Sequence, residues 1–423
     1  MSRSRDVAQI LGKTHGANPD NHSLVNASSG VDSSEIITLI AANSSNLDSA
    51  QVITLVTANS SNLDSADLQT ISTKVGSNRN LIINGAMTVD QRHNGSSFTV
   101  VNGNAVTGVI ADRFRVNETS GVVMTGQRVA DAPVGFEYSS KLTVTTADAS
   151  LGSTEFHRMI QPIEGKNISN LNWGTSNAKT LTLTFYVKSS LTGQYYISVF
   201  NNAANRTLLK GYTISSANTW EKKTITIIGD QSGAWLTTNA VGIYLMWSLG
   251  TGSSYQSNTL DAYQAGFYMA KSDQVNLAAT NSSTWQLTGV QLEIGDTATA
   301  FEHEDIGTTL TKCQRYFTTC KGFGSGYSAV AMFRSVYANV AFGAVGFPTE
   351  MRATPTVTLF DGSSNTGTLT EDGAAHNRGC AAVNVSTRGF NRATSNNTGS
   401  GHFSQAAGAG YGIVGTYQAA AEL

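Results

Sequence analysis

Charge is what this sequence lacks most. Charged residues make up 13% of its 423 positions, against roughly 25% in an average globular domain. The 27 Lys and Arg nearly balance the 29 Asp and Glu, and a net charge of -2 leaves no electrostatic footprint for a nucleic acid. Cysteine is scarce and odd in number: Cys313, Cys320 and Cys380 cannot build a disulfide framework. Assembly in a reducing cytosol is therefore expected. No apolar run approaches the roughly 18 residues that a membrane-spanning helix needs, so no membrane insertion is expected. The basic start, Met1-Ser-Arg-Ser-Arg-Asp-Val-Ala, has no apolar stretch behind it and does not read as a secretory signal. Proline is rare, at 5 residues, but 41 glycines without low-complexity bias do not indicate disorder.

Ser, Thr, Asn and Gly fill the place of the missing charge, a mix that suits extended β proteins kept soluble by hydroxyls and amides. Residues 1–30 hold one short helical candidate, Arg5-Asp-Val-Ala-Gln-Ile-Leu11, and too little apolar area to fold alone. Two readings stay open there: a frayed terminus, or an attachment peptide that orders on a partner through Arg3, Arg5, Val7, Ile10 and Leu11. Residues 31–79 carry a tandem repeat of 16 residues, in which Val31-Asp-Ser-Ser-Glu-Ile-Ile-Thr-Leu-Ile is echoed from Leu47 and more loosely from Leu63. Asp32, Asp48 and Asp64 sit as helix N-caps, with Glu35, Gln51 and Asp67 three residues on, where a side chain can reach back to the cap amide. Helices this short are marginal alone. The apolar faces Ile36, Leu39, Ile40 and Val52, Leu55, Val56 would pack on copies of themselves about an axis, giving a trimeric stalk; the alternative is a disordered linker.

From 80 to 305 the period changes to two. Leu181, Leu183, Phe185 and Val187 alternate with polar residues, and so do Tyr195, Ile197 and Val199. Val241-Gly-Ile-Tyr-Leu-Met-Trp247 is apolar on both faces, as a central strand should be. Many short strands without a long helical pattern predict an antiparallel jelly-roll β-sandwich. Trp285 to Glu302 reads as its closing strand and a hinge, with Gln291 and Glu293 on the solvent face. Residues 306–423 read as a β-rich distal tip that opens with a helical turn at Thr308–Phe317 and carries 8 Lys and Arg against 5 Asp and Glu. The fold class expected is thus mainly β, with a short N-terminal helical trimeric stalk.

Three groups of stretches resemble the tail-fibre proteins of tailed bacteriophages, including those of cyanobacteria. They are Asn80-Leu-Ile-Ile-Asn-Gly-Ala-Met87 with Ala111-Asp-Arg-Phe114; Thr180 to Gly193 with Asn218-Thr-Trp-Glu221 and Ile228-Gly-Asp230; and Gly289-Val-Gln-Leu-Glu-Ile-Gly295 through Ala300-Phe-Glu302 to Cys313-Gln-Arg-Tyr-Phe317. The Asp-Ser-Ala repeats resemble the helical stalks of the same fibres. The resemblance implies a homotrimer on the virion, fixed to a tail, baseplate or adaptor protein by its N-terminus. It also implies a sandwich similar to carbohydrate-binding modules and a distal end that meets host surface polysaccharide. Tyr263 stands where such proteins commonly have Trp.

Glycan contacts are expected from aromatic and cationic side chains on turn-rich segments. In the sandwich these are Trp173, Trp235 and Tyr255; in the tip they are Tyr327, Arg388, Phe390 and Arg392, set against a packing role for each. Trp247 and Trp285 read as core. The acid clusters Glu302, Glu304, Asp305 and Glu371-Asp372 lack the apolar flanks that would tune a catalytic pair, so no catalytic residue is assigned. A glycan-cleaving depolymerase is the alternative function. No cofactor motif is found, and the histidines lack metal-ligand spacing. Asp230 and Asp296, each following a glycine, are the positions where a structural calcium would sit if there is one.

Overall fold

The computed structural model describes residues 79–100, 108–320, 331–337, 340–361, 366–371, 376–395 and 412–423. The attachment residues Arg3, Arg5, Val7, Ile10 and Leu11, the stalk residues Ile36, Leu39, Ile40, Val52, Leu55 and Val56, and Tyr327 all lie outside the described residues.

The chain is mainly β, and its first thirteen strands form two facing antiparallel sheets. In spatial order, the six-stranded sheet runs β1 (Phe98–Val100), β4 (Val123–Val129), β5 (Ser139–Thr146), β13 (Thr284–Ile294), β7 (Leu181–Ser189), β10 (Glu221–Ile227). The seven-stranded sheet runs β12 (Tyr263–Ala265), β9 (Arg206–Ile214), β8 (Gly193–Phe200), β11 (Val241–Thr251), β6 (Phe156–Glu164), β3 (Phe114–Glu118), β2 (Val109–Ala111). The period-2 pattern sorts the residues between faces. Leu181, Leu183, Phe185 and Val187 of β7 are fully buried and share one core with Ile197, Leu245 and Trp247 of the opposite sheet. Phe185 meets Trp247 edge-on at 5.8 Å. Each such side chain contributes about 1.5–3 kcal/mol by leaving water.

β13 is the last sandwich strand in sequence but lies in the middle of its sheet, between β5 and β7. It bulges where Gly289 takes φ +60, and a Cβ there would meet Phe136 at 2.7 Å and Tyr186 at 2.8 Å. The expectation for Gln291 and Glu293 fails. They are 1% and 3% exposed, because residues 299–302 fold back over the face that alternation alone assigns to solvent. Thr299 donates to Glu293 through N (2.8 Å) and Oγ1 (2.6 Å), and Glu302 N donates to Gln291 Oε1 (2.7 Å).

The helix α1 (Ile306–Gln314) begins two residues before the expected turn, since Asp305 caps it by accepting from the amides of Gly307 and Thr308. A third antiparallel sheet follows: β14 (Phe317–Thr319), β15 (Ala331–Tyr337), β16 (Val340–Gly346), β17 (Thr356–Phe360), β18 (Thr368–Glu371), β19 (His376–Val383), β20 (Gly389–Ser395) and β21 (Gly412–Ala420). β21 pairs with β14, β15, β17 and β18, so β21, β15, β16, β20, β19 and β18 close into a ring. Leu359, Leu369, Phe390, Ala393 and Tyr417 are buried together as its core.

No free hinge separates this ring from the sandwich. Glu422, just past β21, accepts from Arg92 Nη2 at 2.7 Å and from Arg113. Arg315 forks onto Glu164 at 2.9 and 2.6 Å, and the Tyr316 hydroxyl donates to the same carboxylate at 2.8 Å. Arg113 stacks on Tyr316 and Arg92 on Phe317, each at 3.6 Å. Burial pushes the Glu422 carboxyl up, but the guanidinium groups of Arg113 and Arg92 outweigh it and hold the group below its ordinary range. The expected hinge is a charged clasp.

Candidate functional site: an aromatic face on the sandwich

Strand alternation gives the seven-stranded sheet a second face, turned away from the core. On β6 the outward positions are Phe156, Arg158 and Ile160; on β11 they are Tyr244 and Met246; on β8 they include Phe200. Pairing aligns them: Met246 stands opposite Ile160, and Tyr244 opposite Phe200. Part of this face is crossed by the segment after β11. Ser198 Oγ donates to Tyr268 O (2.7 Å) and Thr207 Oγ1 to Gly266 O (2.7 Å), so the segment is tied across β8 and β9. It delivers Tyr255 and Phe267 to the patch.

The rings touch in sequence. Phe156 meets Tyr255 edge-on at 5.7 Å, Tyr255 meets Phe267 at 5.6 Å, Phe267 meets Phe200 at 4.8 Å, and Phe200 stacks on Tyr244 at 4.7 Å. Ile160, Phe200, Met246 and Met269 are buried beneath, while Phe156, Tyr244, Tyr255 and Phe267 remain half-exposed. The Arg158 guanidinium lies 4.5 Å from the Phe156 ring centre and 5.8 Å from that of Phe267. Burial, with the neighbouring Arg115 adding to it, brings Arg158 down to about 10, still cationic at neutral pH. Half-exposed aromatic planes beside hydrogen-bonding cations can stack on an apolar ring face and hold its polar rim.

Of the residues singled out in the sequence, Tyr255 belongs to this patch. Trp173 and Trp235 do not, and their stacking role is corrected. They are 7% and 8% exposed and pack edge-on against each other at 4.7 Å, each meeting Tyr263 at 6.0 Å. Their ring N–H groups are spent, Trp173 on Lys179 O (2.7 Å) and Trp235 on Asp230 Oδ2 (3.0 Å). The turns that flank them fold inward over the end of the sandwich. Phe390 is likewise a core residue, 3% exposed against Tyr417 at 5.7 Å. Arg388 is exposed and paired with Glu350 at 3.1 Å, and Arg392 lies on β20, away from the sandwich face.

Asp230 is not open to a calcium ion, because Arg206 forks onto it at 2.9 and 2.7 Å. Among the described residues, no group of three or more His, Cys, Asp or Glu is placed to hold a metal. Glu302 and Glu304 border a cleft lined also by Asn80, Asn84, Thr88, Phe301 and His303, and they and Asp305 each have a structural partner. Glu302 accepts from Asn80 N (2.8 Å), Glu304 holds Lys312 and Thr309, and Asp305 caps α1.

Phe156, Phe200, Tyr244 and Phe267 were not foreseen. The available signal lay in β6, where Phe156 and Ile160 alternate with the inward Met159 and Ile163: a strand apolar on both sides has both sides covered or put to use.

No family model matches the chain, and no curated protein matches it. Among solved structures, the enzymatically active domain of tailspike protein 4 of bacteriophage CBA120 is similar at 13% identity over 51% of this chain, with a TM-score of 0.29; the match spans 22% of the tailspike chain. A putative sugar binding protein from Bacteroides thetaiotaomicron is similar at 12% identity, over 51% of this chain and 100% of its own, with a TM-score of 0.28. The family 11 carbohydrate-binding module from Clostridium thermocellum, solved with a mixed-linked tetrasaccharide, matches at 12% identity over 49% of this chain and 98% of its own, with a TM-score of 0.24. These likenesses are weak, and the functional reading rests on the residues of the site.

Proposed function

We propose that the chain is the adhesive subunit of a viral tail fibre, and that it binds a host-surface glycan on the outer face of its seven-stranded sheet. One observation carries the binding reading: Phe156, Tyr255, Phe267 and Tyr244 are half-exposed in a row joined through the buried Phe200, beside Arg158. A sugar offers what this face complements, apolar C–H faces for the rings and hydroxyls for the polar rim. The stalk-like repeats of residues 31–79 and the resemblance of residues 80–317 to fibre proteins support placing the chain on a virion, anchored through its N-terminus as a homotrimer. Three weak sites per fibre then act together, each raising the effective concentration of the next.

The test is binding of the purified full chain to host cells and their extracted polysaccharide. A Phe156→Ala, Tyr255→Ala double variant should bind about tenfold more weakly, a change of about 1.4 kcal/mol, with its melting midpoint little changed. Unaltered binding would remove the face from the reading. New reducing ends in the same incubation would make the chain a depolymerase, and a monomer in sedimentation would remove the trimeric stalk.

A further inference from the structure

Two arginines stand on the aromatic face without a side-chain ion pair. The pairing of β3 with β6 sets Asn117 opposite Arg158 and Arg115 opposite Ile160. Directly paired residues lie about 5 Å apart and diagonal ones about 7–8 Å, so Arg115, Asn117 and Arg158 occupy three corners of one small square. The Nε atoms of both arginines and Oδ1 of Asn117 are buried without a hydrogen-bond partner. Arg158 rests on Met246 Sδ at 3.7 Å and on aromatic rings, and Arg115 Nη1 donates to Leu423 O at 3.0 Å. Glu422, whose charge reaches Arg115, is already clasped by Arg92 and Arg113. Among the described residues, no side-chain carboxylate pairs with Arg115 or Arg158. Two neighbouring cations with unmet donors repel each other and lose hydration, which an entering anion reverses.

We propose that Arg115 and Arg158 receive the acidic group of a charged sugar, a carboxylate or a phosphate, so that the face selects acidic glycans over neutral ones. This rests on the glycan reading above and names its ligand class. Planar guanidinium forks match the paired oxygens of either group. The row from Phe156 to Phe267 then lies under the sugar ring, and the Asn117 amide meets a neighbouring hydroxyl.

Ligand-observed NMR on the full chain tests this with glucuronate and galacturonate against glucose and galactose, and with glucose 6-phosphate as the phosphate arm. The acidic sugars should bind at least tenfold more tightly than the neutral ones, and the preference should shrink as salt rises. Tighter uronate binding assigns a uronic-acid polymer, and tighter phosphate binding a phosphorylated one. Arg115→Gln should cancel the preference while neutral-sugar binding persists, and Arg158→Gln should cancel the preference and weaken neutral-sugar binding as well. If Arg158→Gln does not fold, Arg158→Lys, which keeps the charge and loses the fork, should weaken the preference. Equal binding of acidic and neutral sugars overturns the proposal and leaves the glycan reading standing, provided the Phe156→Ala, Tyr255→Ala variant still loses them. Binding of no acidic sugar overturns the proposal, and neutral binding that ignores the aromatic variant removes the reading beneath it as well.

Discussion

Two aromatic clusters on one sandwich show how differently the same residue types can be used. At one end, Trp173, Trp235 and Tyr263 interlock edge-on, and every polar atom on them is committed: Trp173 to Lys179, Trp235 to Asp230, Tyr263 to Ile228 O at 3.0 Å. On the outer sheet face, Phe156, Tyr255 and Phe267 also meet edge-on, yet they are half-exposed, and Arg158, over Phe156 and Phe267, has a buried Nε without a hydrogen-bond partner. Ring size and local turn content do not separate the two. What separates them is whether the hydrogen-bonding groups around the rings are already satisfied. The first cluster closes a core; the second is incomplete.

The largest expected effect breaks the comparison from the buried side. Trp235→Ala leaves a cavity and takes one donor from Asp230, and should lower stability by about 3–5 kcal/mol, read from denaturant unfolding. Retained stability with lost glycan binding would instead make the tryptophan corner the site. Next comes the clasp between sandwich and ring. Glu422→Gln leaves Arg92 and Arg113 without their shared counter-charge and should cost about 3 kcal/mol.

The pH dependence of the clasp has a definite sign. The folded-state value of Glu422 lies below the ordinary 4.5. Its stabilisation is therefore present above that pH and is lost as pH falls through the depressed folded value. An acid-unfolding series on wild type and Glu422→Gln should converge toward low pH; parallel curves would mean that Glu422 carries no differential charge.

The smallest effect concerns the exposed Arg388–Glu350 pair. Arg388→Ala should leave both the melting midpoint and host binding unchanged, as expected for a solvated surface pair. Loss of host-cell binding would move recognition from the sandwich to the C-terminal ring.

Much of the scaffold was legible in the sequence. The alternation of Leu181, Leu183, Phe185 and Val187 marks β7, and the unbroken apolar run Val241 to Trp247 marks a strand that sits mid-sheet in β11. Trp247 and Trp285 read as core and are fully buried. What period-2 reading could not supply is which second face gets covered. Gln291 and Glu293 alternate as surface residues do, and only the return of Thr299 to Glu302 hides them. The aromatic face was illegible for a related reason: Phe156, Phe200 and Tyr244 come from three strands joined by pairing across the sheet, and Phe267 from the segment that crosses them. Tyr255 alone was singled out, because it follows a glycine turn that does lie at the surface.

The position of β21 has a consequence for the order in which the protein is made. It is the last described strand to leave the ribosome, and four others (β14, β15, β17 and β18) must wait for it to complete their pairing. The sandwich can mature during synthesis, while the ring holds unpaired strand edges until β21 has emerged. Removing residues 412–423 would strip four strands of a partner and take Glu422 from the clasp, turning a small deletion into loss of the whole C-terminal unit.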